Sequence, residues 1–356
     1  MQYVLLICIA ALSLVSGAVF AAGPVAAGPV NDAALMERRP AKLLSAYGLF
    51  SSGPAQTPNK GVHPYDLQQP LFTDYAHKYR FIYMPAGKIA TYNHRETFDF
   101  PVGTVLVKTF AYPADFRKPD ENVQLVETRL LIHQASGWNA WAYVWNADQS
   151  DAILKVAGKS FPVSWTDTVG EERTIQYVVP NKNQCKGCHT YDKKFTPIGP
   201  KARNLNREYT YRGGKQNQLA YWSDSGLLAG VPAHGDIPSV PKFGDVNAPI
   251  GARARAYLDI NCAHCHRLEG PASTSGLYLT YGERSKVNWG YNKRPVAAGR
   301  GSGDLHFDIV PGEPDLSILI YRLISTDPGI MMPEVGRTTV HTEGVQLLKD
   351  WIAGLD

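Results

Sequence analysis

Between about residues 70 and 180 the apolar and aromatic positions fall in short runs: KYRFIYM, ETFDF, GTVLVKTFAY, VQLVETRLLIHQ, WNAWAYVWNA, AILKVA and TIQYVVP. Gly, Pro, Asn and Asp separate them. Runs of this length bounded by turn formers read as strands, and this many at this spacing predict a sandwich or barrel-like β-domain. Within WNAWAYVWNA a period of two sets Trp141, Tyr143 and Trp145 on one face and Ala140, Ala142 and Val144 on the other. Packing is the expected use of that aromatic face, with a ladder that stacks on a sugar or near a haem edge as the alternative.

The period lengthens elsewhere. Residues 341–355, HTEGVQLLKDWIAGL, place Val345, Leu348 and Ile352 at helical spacing with Leu347 and Trp351 beside them, which predicts an amphipathic C-terminal helix. Residues 248–261, APIGARARAYLDIN, are helix-compatible, as are 215–228 within a Gly-, Pro- and Asn-rich stretch. Residues 23–60 are rich in Ala, Gly and Pro and predict an exposed approach of low structural content, with one short helix over 33–47.

Composition narrows the class. The 356 residues are 44% hydrophobic and 19% charged, and a formal net charge of +4 over this length is mild. Disorder, collagen and a polycation suited to nucleic acid are thereby excluded. The opening MQYVLLICIAALSLVSGAVFAAG is an apolar run that closes on small residues, so residues 1–22 are expected to be a signal peptide and the product periplasmic or secreted. A retained anchor is the alternative, and no later run is long enough for stable membrane insertion.

Of five cysteines, Cys8 lies inside that leader. The other four, Cys185, Cys188, Cys262 and Cys265, all fall in two C-x-x-C-H runs, CKGCH ending at His189 and CAHCH ending at His266. Covalent haem c needs two thiols for the two vinyl groups on one porphyrin edge and an imidazole that reaches the iron from one face, and this spacing supplies both. Two haem c groups are expected, with His189 and His266 as proximal iron ligands. A four-cysteine zinc site is disfavoured by the 73 residues between Cys188 and Cys262, and a disulfide within each pair would constrain almost nothing.

A helix entering CAHCH, the pair Met332-Pro333 and a closing helix with Trp351 resemble a class I cytochrome c domain over residues 247–356. The resemblance implies that Met332 supplies the second axial ligand of that haem, with Met331 as the neighbouring candidate. Ile198-Gly199-Pro200 after the first motif resembles the Gly-Pro segment whose carbonyl accepts from the proximal imidazole; the corresponding role of Gly270-Pro271 is less secure. The whole layout resembles a family of exported bacterial dihaem c-type cytochromes of largely unassigned function. The expected organisation is an α+β multidomain chain: an extended segment over 23–62, an all-β sandwich or barrel-like domain over 63–181, a first haem-binding segment over 182–246, and a mostly helical cytochrome c-like domain over 247–356.

The first haem lacks a local methionine partner, since Met36, Met84, Met331 and Met332 are the only methionines after Met1. Met84, in FIYMPAG, repeats the Met-Pro pairing and is the first choice; His63, His77, His94, His133, His234, His306 and His341 are the histidines outside the motifs, and His264 is poorly placed inside its own turn. The expected function is electron transfer in the periplasm between redox protein partners. A dihaem peroxidase or oxidase with an open first haem is the alternative, and the β-domain is a candidate contact for a polysaccharide or protein. No hydrolytic constellation and no phosphate-cradling loop stands out, so no catalytic residue is assigned.

Overall fold

The computed structural model describes residues 28–296 and 298–356; the predicted leader, with Cys8, lies outside them. Six strands pair antiparallel in chain order: β1 (Val62–Pro64), β2 (His77–Tyr83), β3 (Val105–Pro113), β4 (Val123–Gln134), β5 (Gly137–Trp145) and β6 (Ala152–Leu154). Alternation within them splits the side chains between two faces. A further hairpin, β7 (Lys159–Thr166) with β8 (Glu172–Val179), stands apart as a two-stranded sheet.

The sandwich or barrel expectation is therefore corrected to one open sheet with a separate hairpin. Its faces need no second sheet because other parts of the chain cover them. On one face Leu35, Leu44, Tyr47 and Leu49 pack against Phe81, Val107, Leu130 and Tyr143. These come from the segment expected to carry little structure. Helix α1 (Asp32–Met36) is capped by Asn31, whose side chain accepts from the Ala34 amide, and Tyr47 meets Tyr143 hydroxyl to hydroxyl at 2.9 Å. Trp141, Tyr143 and Trp145 are buried, so the aromatic ladder is sheet packing and presents no stacking face to a sugar.

The opposite face carries two apolar clusters. Ile82 and Leu106 join Leu205, Leu219 and Trp222 from α3 (Ala202–Leu205) and α4 (Gln218–Asp224). Phe110, Ala142 and Val144 join Val163, Trp165 and Tyr177 from the β7–β8 hairpin. Between them lies the cavity described below. The ETFDF run forms only isolated bridges, Thr91 with Asp99 and Thr97 with Lys201.

The last third folds around α5 (Ile250–Asn261), α6 (Ile318–Ile324) and α7 (Thr342–Ala353), and the two longer helices match the predicted ones. Ala254, Leu258, Ile320, Leu348, Trp351 and Ile352 form their shared core. Gly344 is required where α7 meets α5, because a Cβ there would stand 2.5 Å from the Tyr257 hydroxyl. Among the described residues no helix is long and apolar enough to cross a membrane.

If the N-terminal segment is part of the sheet's core, Leu44→Ala should cost about 2–5 kcal/mol in chemical denaturation. Leu43→Ala, at a side chain 44% exposed, should stay within about 0.5 kcal/mol. Equal losses would contradict this packing.

Candidate functional site

The first C-x-x-C-H begins in α2 (Lys182–Cys188), which starts with a capping box: the Asn181 side chain accepts from the Asn183 and Gln184 amides while the Gln184 side chain accepts from the Asn181 amide. A helix start fixed this firmly sets Cys185 and Cys188 three apart on one face. His189 follows as the cap. The chain then turns through a short hairpin, Thr190–Tyr191 with Lys194–Phe195, and returns so that Thr196 N donates to His189 O at 2.9 Å. This return brings Thr196 O to 3.0 Å from His189 Nδ1, and the ring stacks on Phe195 with centroids 5.2 Å apart. A carbonyl only accepts, so Nδ1 carries the proton and the Nε2 lone pair is free. The acceptor is thus Thr196 O and not the Gly199-Pro200 segment, because the hairpin closes before that segment is reached.

The second motif follows directly from α5. Its turn is closed by the Cys265 and His266 amides, both donating to Cys262 O. His266 Nδ1 lies 3.1 Å from Ser275 Oγ, whose own proton goes to Ala272 O at 2.7 Å. Ser275 must therefore accept, and His266 too has Nδ1 protonated and Nε2 free. Burial pushes both imidazoles down to about 4, which keeps them neutral.

The two motifs meet. Ligand atoms of Cys188, His264 and Cys265 lie within 4.8 Å of one another, and the Cys265 thiol donates to Gly187 O. Cys188, beside the Cys265 thiol and the His264 imidazole, is held below its usual value, while burial pushes Cys185 up and Cys262 up to about 12. Ion pairs, one buried and one partly exposed, clamp the meeting point. Arg203 makes two 2.8 Å bonds to Asp259, with side chains 10% and 3% exposed. Glu96 takes both its oxygens to Arg267 at 2.9 and 3.0 Å and pairs with Lys201 at 3.3 Å.

Cys185, Cys188 and His189 form one wall of a cavity that encloses about 1490 Å³, its mouth included. Sheet residues Leu106 and Leu131 form a second wall, and Ile260, Leu323 and Val345 from the C-terminal helices a third. A cleft lined by Glu96, Tyr191, Lys201 and Arg267 touches the other side of Cys188 and His264.

The predicted methionines diverge. Met84 is buried in the core with Tyr65, Ile82 and Phe98 and does not line the cavity. Pro333 does line it, next to half-buried Met332 and buried Met331. The Arg337 guanidinium fixes that loop, donating to Met332 O twice and to the carbonyls of Arg322, Ser325 and Thr339. His341 also reaches the cavity wall, but its ring is stacked on Phe72 at 4.2 Å and on Phe243 at 5.1 Å, with Nδ1 bonded to Tyr257. His63 is bonded to Tyr221 and His133 to Phe100 O.

Comparison with protein-family models, curated proteins and solved structures finds no match to this chain.

Burial raises the Glu96 carboxyl, but Arg267, Lys201 and Arg203 outweigh that and hold it below its usual value of 4.5. A depressed folded value means stability that is present above about pH 4.5 and lost as pH falls through the folded one. Glu96→Gln should therefore lower stability at pH 7 by about 1–3 kcal/mol and flatten its fall below pH 4.5. Denaturation midpoints over that range test this, and parallel curves for the two proteins would contradict it.

Proposed function

We propose that the chain carries two covalently attached haem c groups and passes electrons between redox proteins outside the cytoplasm. One observation carries this reading: both C-x-x-C-H histidines have Nδ1–H committed to a fixed acceptor, Thr196 O and Ser275 Oγ, leaving Nε2 free for iron. Those bonds also make each imidazole a stronger donor.

The residues fit such a group. Cys185 and Cys188 would hold the first haem and Cys262 and Cys265 the second, each thiol adding across a vinyl group with sulfur to one carbon and hydrogen to the other. His189 and His266 would be the proximal ligands, and Met332 the second axial ligand of the second haem. The bound group supplies one-electron exchange at its iron. This chain's residues bind it, orient the imidazoles, and wall the first site with Leu106, Leu131, Ile260 and Leu323. Arg337 holds the backbone that presents Met332. The crossing of α5 and α7 beside that loop supports reading residues 247–356 as class I cytochrome c-like, and the leader supports export.

A second reading, a dihaem peroxidase or oxidase with an open first haem, draws on the placement of Met84 in the core and off the cavity wall. Zinc on Cys188, His264 and Cys265 would suit that donor set. It would give no role to Cys185, Cys262 or the two committed histidines.

Pyridine haemochrome should count two haems per chain, and low-temperature electron paramagnetic resonance should find both low-spin. Met332→Ala should turn one haem high-spin and lower its potential; an unchanged spectrum would sink that ligand. A high-spin signal in the native protein that changes on adding peroxide would favour the enzyme.

A further inference from the structure

The sheet face that walls the cavity carries a row of like charges. Arg80 on β2 is directly opposite Lys108 on β3, and Lys108 is directly opposite Arg129 on β4, so three cations lie side by side across three strands. All three line the cavity. Like charges in direct cross-strand register are destabilising. Apolar clusters around Leu106 on one side and Phe110 on the other flank the row.

The carboxylates nearby do not balance the row. Glu127 is fully buried and pairs with Arg129 at 2.6 Å, but its other oxygen is shared between Arg129 and the Tyr177 hydroxyl. Asp66 divides its oxygens between Arg80 and Arg207. Lys108 has neither a carboxylate nor a hydrogen-bond acceptor among the described residues, and its ammonium sits 4.9 Å from the Phe110 ring centroid. Arg80, whose side chain is 4% exposed, leaves Nη2 buried and without a partner among the described residues. Burial, with Arg80, Lys78 and Arg129 adding to it, pushes the Lys108 ammonium well below the usual lysine range, which is the same imbalance in protonation terms.

We infer that Arg80, Lys108 and Arg129 form a binding site for a carboxylate borne on an apolar body. The free Arg80 Nη2 and the Lys108 ammonium supply the charge-assisted donors. The flanking Leu106 and Phe110 clusters supply the apolar contact. Two ligands share this chemistry: a propionate of the haem at the first motif, which depends on the two-haem reading, and a free carboxylic acid, which does not.

The test uses the purified full chain and its Lys108→Met variant, with Lys108→Gln in reserve should the first not fold, judged by circular dichroism. Hexanoate is titrated by calorimetry at low ionic strength, and resonance Raman spectra record the propionate bending bands of any haem present. If a free acid is the ligand, the native chain binds hexanoate and the variant binds it at least about tenfold more weakly. If a propionate occupies the row, hexanoate does not bind and the bending band moves in the variant while the haem count stays the same. Absence of binding together with coincident bands overturns the site. In a chain without haem the calorimetry alone decides, so failure of the haem reading and failure of this site give different results.

Discussion

The two C-x-x-C-H turns, 77 residues apart from first cysteine to first cysteine, are held against each other by buried charge. Arg203, just after the first motif, is bonded to Asp259, just before the second, and Arg267 next to His266 is bonded to Glu96 beside the sheet. The Arg203 and Asp259 charges, with side chains 10% and 3% exposed, are tolerable only as a pair, and removing one partner of such a pair commonly costs about 3–5 kcal/mol. Paired, they fix register: α5 cannot slide without stranding Asp259, and the second turn cannot lift without stranding Arg267. The contact of Cys188 with His264 and Cys265 is a consequence of that clamp.

This apposition gives the proposed function its physical sense. Each imidazole is oriented by its own local acceptor, so the two histidines are positioned independently, yet a sulfur from each motif belongs to the same small group of atoms. Two haems attached there would meet near these sulfurs, which favours exchange of electrons within one chain. The sheet contributes one cavity wall, the C-terminal helices another, and the N-terminal segment covers the sheet's other face.

Much of this was legible in the sequence where period and spacing speak directly. The strands from His77 to Trp145 and the two longer C-terminal helices follow from alternation and helical spacing. Strand β7 escaped notice because Lys, Ser and Pro162 interrupt its apolar positions, which a two-stranded hairpin tolerates. The role of residues 30–49 was hidden because their buried side chains are few and scattered, and only the sheet they cover gives them a partner. Thr196 and Ser275 carry no sequence signal, since backbone turns bring them to the imidazoles. His264 looked inert inside its own turn because its neighbours come from the other motif. Arg80, Lys108 and Arg129 did leave a trace: each is a charge set inside a strand that is otherwise largely apolar, and pairing strands in register would have aligned them.

The central claim is that both motifs hold covalent haem, and the intact mass of the purified chain under denaturing conditions tests it most directly. Thioether bonds survive unfolding, so the account predicts the polypeptide mass plus two haems. A mass equal to the bare polypeptide, with Cys185, Cys188, Cys262 and Cys265 all open to alkylation, would contradict it.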